Sequence, residues 1–274
     1  MAKLFGLAAL FLLSSFAANA QDGEEEKSKD SDKWHWDIQF QIGGIFYEHP
    51  LKGVEQEEFI DYLGVGFVID MYYKGFFVQS NQRRSNPAEI DIGYELYERD
   101  DWAVDVILKN FFDDMSQDYL EDAGFEHLES RDGAMGVALR YSHYLDDALL
   151  TVDVASVLID EADNGWAVES FYSHLIPYRN WDIYLGTGLT LLSSNVVDYY
   201  VGIDKHESRP NLAYYRPGAA YILEAEAHAI YPISEDWTMR IGLTKSYLSD
   251  NISDSPLGIR STSTFVKLGF NYVF

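Results

Sequence analysis

The feature that most restricts this chain is a hydrophobic period of two. Trp36, Ile38, Phe40 and Ile42 alternate with Asp37, Gln39 and Gln41, and Ile90, Ile92, Tyr94 and Leu96 with Asp91, Gly93 and Glu95. Trp102, Val104, Val106 and Leu108 alternate with Ala103, Asp105, Ile107 and Lys109, and the rule returns from Trp181 to Leu189 and from Trp237 to Leu243. Successive side chains of a strand point to opposite faces, so each run is a strand with one apolar and one more polar face. Soluble sandwiches alternate too, but their strands centre on about five or six residues. Several runs here reach about 10 to 13 residues, and a strand that crosses a bilayer needs about 9 to 11.

Twelve strands are expected, at 37–48, 61–72, 75–82, 89–97, 101–111, 133–145, 148–158, 165–177, 181–192, 217–231, 235–248 and 263–274. Tight connections at Tyr73-Lys74, Glu98 to Asp100, Asp146-Asp147, Tyr178 to Asn180 and Pro232 to Ser234 alternate with longer ones at 49–60, 83–88, 112–132, 159–164, 193–216 and 249–262. Short turns at one end and longer polar loops at the other are the plan of an all-β, transmembrane, antiparallel up-and-down β-barrel with periplasmic termini. The faces of the third and eighth strands, around Phe76-Phe77-Val78 and Val168 to Ile176, are ambiguous.

Composition narrows the partners. Twenty basic against 45 acidic residues give a net charge of −25, which repels a phosphate backbone and argues against nucleic acid. Aromatics are 15 % of the chain, too many for an acidic disordered protein. There is no cysteine, which removes disulfides, thiolate metal sites and cysteine nucleophiles. Residues 1–20 read as a cleaved signal peptide, with Lys3, the apolar run Leu4 to Phe16 and Ala18-Asn19-Ala20; 21–35 reads as an acidic flexible tether and 36–274 as the barrel. The expected location is the outer membrane of a Gram-negative bacterium. Trp36, Trp102, Trp181 and Trp237 each begin a rising strand, and Tyr72, Tyr97, Tyr144, Tyr178 and Tyr231 end descending ones, so an interface girdle in contact with outer-membrane lipid is expected at that level.

The chain ends with Val266, Leu268, Phe270, Tyr272 and Phe274 on one face. Lys267-x-Gly269-x-x-Tyr272-x-Phe274 resembles the C-terminal β-signal read by the outer-membrane assembly machinery, which implies that machinery as a partner. Tyr199-Tyr200-Val201-Gly202-Ile203, Ala213-Tyr214, Tyr231-Pro232, Glu235-Asp236-Trp237, Leu248-Ser249-Asp250 to Asp254-Ser255-Pro256, and upstream Gly93 to Tyr97 with Asp101-Trp102, resemble the MltA-interacting protein (MipA/OmpV) family. That resemblance covers most of the mature chain, least so from about Asp113 to Arg131. It implies an outer-membrane barrel acting as a non-enzymatic scaffold for a lytic transglycosylase and a bifunctional peptidoglycan synthase; other members are described as adhesins or small-molecule pores.

The residues offer little chemistry. Metalloprotease, nucleotide-binding and nucleophile-elbow motifs do not occur, and Ser142-His143 and Ser173-His174 are strand neighbours on opposite faces, which cannot pair within one strand. No cofactor is expected. Glu224, Glu226 and His228 share one face of the tenth strand and with Arg240 form a polar stripe that lipid hosts only at a cost, so it is expected to face the lumen. Their spacing suits a divalent ion, but no further ligand supports a metal. With Asp37, Asp91, Glu95, Asp105, Asp153 and Asp182 against Lys109, Arg140, Arg240 and Lys267, the lumen is acidic. It reads either as salt-bridged and plugged or as a cation-preferring pore. A third reading is adhesion through loops 112–132 and 193–216, with Asp113-Asp114 and Tyr199-Tyr200.

Overall fold

The computed structural model describes residues 34–274 except 55, 57, 87–89, 113, 159–161 and 163. The signal peptide, nearly all of the tether and Asp113 lie outside the described residues. Among these residues the chain forms twelve strands: β1 His35–Glu48, β2 Leu63–Tyr73, β3 Phe76–Ser80, β4 Ile90–Glu98, β5 Trp102–Phe112, β6 Ala134–Tyr144, β7 Ala148–Val157, β8 Trp166–Tyr178, β9 Trp181–Leu192, β10 Ala220–Pro232, β11 Trp237–Leu248 and β12 Thr262–Val273. Each pairs antiparallel with its sequence neighbours, and β12 pairs with β1, so the sheet closes into a barrel. Closure satisfies backbone groups that an open sheet would leave bare in lipid.

The outward faces carry the apolar residues of the period-two runs. Val65, Leu139, Val154, Leu185, Ile241 and Leu268 are all exposed, as a lipid-facing belt requires. The inward faces carry the polar members, and Gln41, Asp91, Asp105, Lys109, Arg140, Asp153, Glu226, Arg240, Lys267 and Asn271 are buried. At the closing seam Gly43 faces Gly269. A Cβ on Gly43 would lie 2.2 Å from the Leu268 carbonyl oxygen and 2.5 Å from the Gly269 Cα, so only glycine permits this approach. Beside it Gln41 donates to Asn271 at 2.9 Å, and Asn271 donates to Gln39 at 3.0 Å.

Two ambiguous strands resolve. In β8, Ala167, Phe171 and Ser173 are buried, which puts Glu169 on their inward face and Tyr172, His174 and Ile176 on the outside. In β3, Phe77 pairs with Tyr72 and Gly93 on the inward face, whereas Phe76 packs outside against Tyr94 at a centroid distance of 4.7 Å. That third strand is a correction. It spans five residues and not 75–82, because the chain turns into the lumen after Ser80.

The longer loops build a second apolar core over the other end of the barrel. Three short helices contribute: α1 Gln117–Asp122, α2 Ser194–Val201 and α3 Asp250–Ser253. Leu120 and Leu128 from one loop, Val196, Val197, Ile203 and Leu212 from another, and Ile252, Leu257 and Ile259 from the last are buried together with Leu51. Ser116 caps α1 by accepting from the Tyr119 amide, which fixes the turn that buries Leu120.

Candidate functional site

The loop after β3 enters the barrel, and Arg84 sits at its tip. Its Nη1 lies 3.1 Å from Glu169 Oε1, its Nη2 2.8 Å from Glu224 Oε2 and its Nε 3.0 Å from Glu226 Oε1. The guanidinium also lies over the Phe171 ring, 4.1 Å from the centroid, a favourable cation–π placement. Room for that ring comes from β9, where a Cβ on Gly186 would lie 2.5 Å from its Cζ. One arginine from the loop between β3 and β4 therefore reaches across the lumen to β8 and β10.

The loop backbone is held as well. The Ser85 amide donates to Glu226 Oε2 at 2.8 Å, and the Ser85 and Thr244 hydroxyls share a hydrogen bond. Arg240 donates to the carbonyls of Gln82 and Arg84 at 3.2 and 3.3 Å, Ser173 to the Arg83 carbonyl at 3.3 Å, and Gln82 to Asp70 at 2.5 Å. These contacts come from β2, β8, β10 and β11, so the segment is a plug fastened to much of the inner wall.

The ion network continues sideways. Lys109 reaches Glu169 at 2.9 Å and Asp153 at 3.3 Å; Arg140 grips Asp153 with Nε and Nη2, both at 2.7 Å, and reaches Asp91 at 2.6 Å. Forked arginine–carboxylate pairs of this kind are the strong, directional ones. Three cations, Arg84, Lys109 and Arg140, thus meet five carboxylates, Asp91, Asp153, Glu169, Glu224 and Glu226. A cavity of about 130 Å³ borders this network and is lined by Arg84, Lys109, Phe111, Glu169 and Glu224, among others.

The residues singled out in the sequence fall into three places. Glu224 and Glu226 both meet Arg84, while His228 stacks on Tyr184 at 4.6 Å and Arg240 holds the plug backbone. The lumen is thus crossed by an arginine from a loop, and not by Arg240 pairing with Glu224 and Glu226. Trp36, Trp102, Trp181 and Trp237 point outward at the tight-turn end, on the faces opposite Asp37, Ala103, Asp182 and Thr238. Trp102 stacks with Tyr97, Trp181 packs on Tyr231 and Trp237 on Tyr272, at 4.9, 4.8 and 5.2 Å. Tyr72 and Tyr144 do not join that ring, because they share the inward faces of Asp70 and Ser142. In the last strand Lys267 and Gly269 face inward, and Tyr272 packs edge-on against Phe274 at 5.1 Å.

Tyr199 and Tyr200 tie one loop to another. The Asp132 amide donates to the Tyr199 hydroxyl and the Tyr200 hydroxyl donates to the Asp132 carbonyl, each at 2.7 Å, and Arg131 meets Glu207 at 2.7 Å. Burial pushes the Glu207 carboxyl up, but the Arg131 hydrogen bond, the Asp204 amide and the nearby charge pull it below the ordinary value. Periodicity does not reveal Arg84. Its one signal is that Arg83-Arg84 is the sole adjacent pair of Lys or Arg residues in a strongly acidic chain.

Comparison with known proteins places this barrel. Two solved outer-membrane structures have a similar course: the channel DcaP of Acinetobacter baumannii, 8 % identical, covering 88 % of this chain and 97 % of that one with a TM-score of 0.43, and the NanC porin, 10 % identical, covering 87 % and 99 % with a TM-score of 0.37. Neither likeness bears on function. In sequence the chain is 28 % identical to the MltA-interacting protein of Escherichia coli (strain K12) over 56 % of its own length and 62 % of that relative's, so the match leaves more than a third of the relative uncovered. It is 25 % identical to the "Putative outer membrane protein YiaT" of Escherichia coli O157:H7 over 85 % of this chain and 89 % of that one. The family model described as MltA-interacting protein MipA matches residues 42–274. That span takes in β2 to β12, the plug and every member of the ion network, and this outer-membrane barrel belongs to the MltA-interacting protein MipA family.

Proposed function

We propose that this barrel is a non-catalytic envelope scaffold whose tight turns, facing the periplasm, engage murein-cleaving and murein-synthesising enzymes. The observation that carries the reading is the doubly obstructed lumen: Arg84 pins a loop across its middle, and the apolar loop core covers its other end. A barrel so filled is a rigid platform. Family membership supplies the partner class, since its E. coli relative is named for an interaction with MltA. The turns offer acidic contacts, Asp100-Asp101, Asp146-Asp147 and Glu235-Asp236, suited to a basic partner surface.

The same reading assigns Trp36, Trp102, Trp181 and Trp237 to the membrane interface, and Lys267, Gly269, Tyr272 and Phe274 to recognition by the assembly machinery. The test is crosslinking in intact cells followed by purification of the native protein. Recovery of a lytic transglycosylase together with a bifunctional peptidoglycan synthase supports the scaffold, and their consistent absence refutes it. Planar-bilayer recordings supply the counterpart: steady cation-selective conductance by the unmodified barrel would favour a pore instead.

A further inference from the structure

The tight-turn end of the lumen holds side chains that the plug and its ion network do not use. Between Glu95 and Tyr97 the β4–β5 ladder carries a β-bulge: Glu95 faces Asp105, but Tyr97 faces Val104 and Glu98 faces Ala103. An extra residue in one strand reverses the alternation beyond it. Tyr97 therefore joins Val104 on the outside, while Glu98 joins Glu95, Ala103 and Asp105 on the inside. Three carboxylates share that inward patch.

Asp105 is the one sunk in the wall. It is 9 % exposed, and among the described residues it makes no hydrogen bond and no ion pair. Arg140 stands opposite it on β6 but commits Nε and Nη2 to Asp153 and Nη1 to Asp91. A buried carboxylate left without a partner is costly, and the exposure Asp105 retains is toward the lumen. Aromatic rings stand around it. Tyr72 on β2 and Tyr144 on β6 point inward; the charges of Glu95 and Glu98 act on both phenols, and that of Asp105 on Tyr144. The Phe77 ring lies against Gly93, one inward position beyond Glu95, since a Cβ on that glycine would be 2.4 Å from the ring Cζ. Space remains inside the barrel on this side, because Gln79 faces inward opposite Asp70 and Asp91 and is nevertheless exposed.

We propose that this patch binds the ammonium group of a small aliphatic amine that enters through the tight-turn mouth. Asp105, Glu95 and Glu98 supply acceptors for its N–H donors, and Tyr72 and Tyr144 supply ring faces for its charge. An organic cation fits better than a metal ion, because the described residues contain no group of three or more His, Cys, Asp or Glu side chains arranged to hold a metal. Arg84 and its plug cross the lumen farther in, so the amine is held and not conducted. The assignment does not depend on any scaffold partner, and failure of one leaves the other standing.

The experiment is isothermal titration calorimetry of the full-length barrel in neutral detergent micelles, with n-pentylamine hydrochloride as the probe at constant ionic strength. Saturable binding is expected. Asp105→Asn should weaken it about tenfold, the loss of one charged hydrogen bond, and tetramethylammonium, which has no N–H donor, should bind the unmodified barrel about tenfold more weakly than the probe. Asp236→Asn, at an exposed turn, should leave affinity unchanged. Absence of saturable heat with the unmodified barrel overturns the proposal, as does unchanged affinity in a folded Asp105→Asn barrel. If Asp105→Asn does not fold, Glu98→Gln, at an exposed position, decides the matter: weaker binding supports the site and unchanged binding overturns it. Equal weakening by Asp236→Asn overturns a defined site in favour of diffuse attraction. Markedly tighter binding after joint Lys27→Ala, Lys29→Ala and Lys33→Ala substitution also overturns it, by assigning the patch to lysines of the chain itself.

Discussion

Replacing Arg84 with alanine removes the one cation that, among the described residues, pairs with Glu224 and Glu226. In the folded barrel these carboxylates and Glu169 lie within 3.1 Å of the guanidinium, whose side chain is 11 % exposed. Deleting one partner of a buried ion pair costs about 3–5 kcal/mol because the remaining charge is stranded. Here Lys109 still faces Glu169, and the Glu224 side chain is 20 % exposed at the cavity, so the lower end, about 3 kcal/mol, is expected. That is about a hundredfold in the unfolding equilibrium. The assay is urea unfolding of the barrel in detergent, followed by tryptophan fluorescence and by the electrophoretic shift between folded and heat-unfolded protein. Arg84→Ala with Glu226→Gln should regain part of the loss, because one stranded charge is gone. Ionic current through Arg84→Ala should exceed that of the parent as the plug loosens. A loss under about 0.5 kcal/mol, the scale of an exposed pair, would refute the view that Arg84 fastens the plug.

Other outcomes follow from the same structure. Gly43→Val places side-chain atoms against the Leu268 carbonyl and should abolish the heat-resistant folded band, whereas Gly44→Ala, whose Cβ meets only the Tyr62 carbonyl at 3.8 Å, should fold normally. Tyr200→Phe removes the hydroxyl that donates to Asp132 and should weaken the loop core by about 1 kcal/mol, read as faster proteolysis within 114–133. The Glu207–Arg131 pair predicts a pH dependence. Because the folded carboxyl titrates below its unfolded value, its contribution is complete above the ordinary glutamate pKa, about 4.3, and disappears as pH falls through the lower folded value. Loop proteolysis should rise in that acid window, and Glu207→Gln should remove this component.

The wall was legible because burial alternates strictly along it. Most strands are visible as runs such as Trp102 to Lys109, where every second residue faces outward. Strand β8 was not legible by the same rule. Its inward face mixes Glu169, Phe171 and Ser173, while its outward face includes Ser170 and His174. The inward Phe171 is explained by Arg84 above it and by Gly188 and Gly186 beside its ring on β9. The polar stripe of Glu224 and Glu226 could be placed inside from the cost of charge in lipid. Their partner could not be, since a loop that re-enters its own barrel leaves no periodic trace. Likewise Tyr199 and Tyr200 read as exposed contact residues until Asp132 is brought beside them.

The glycine seam sets an order on assembly. Gln41 and Asn271, which flank Gly43 and Gly269, are 230 positions apart in the chain. Every other pairing of the described strands joins ones that follow one another and forms locally, but this one waits until β12 has been delivered. Until then the nascent protein is an eleven- or twelve-stranded curled sheet with two bare margins, ready to pair with whatever strand it meets. A chain of this topology is therefore most exposed to mispairing just before completion, while its first and last strands still lack each other.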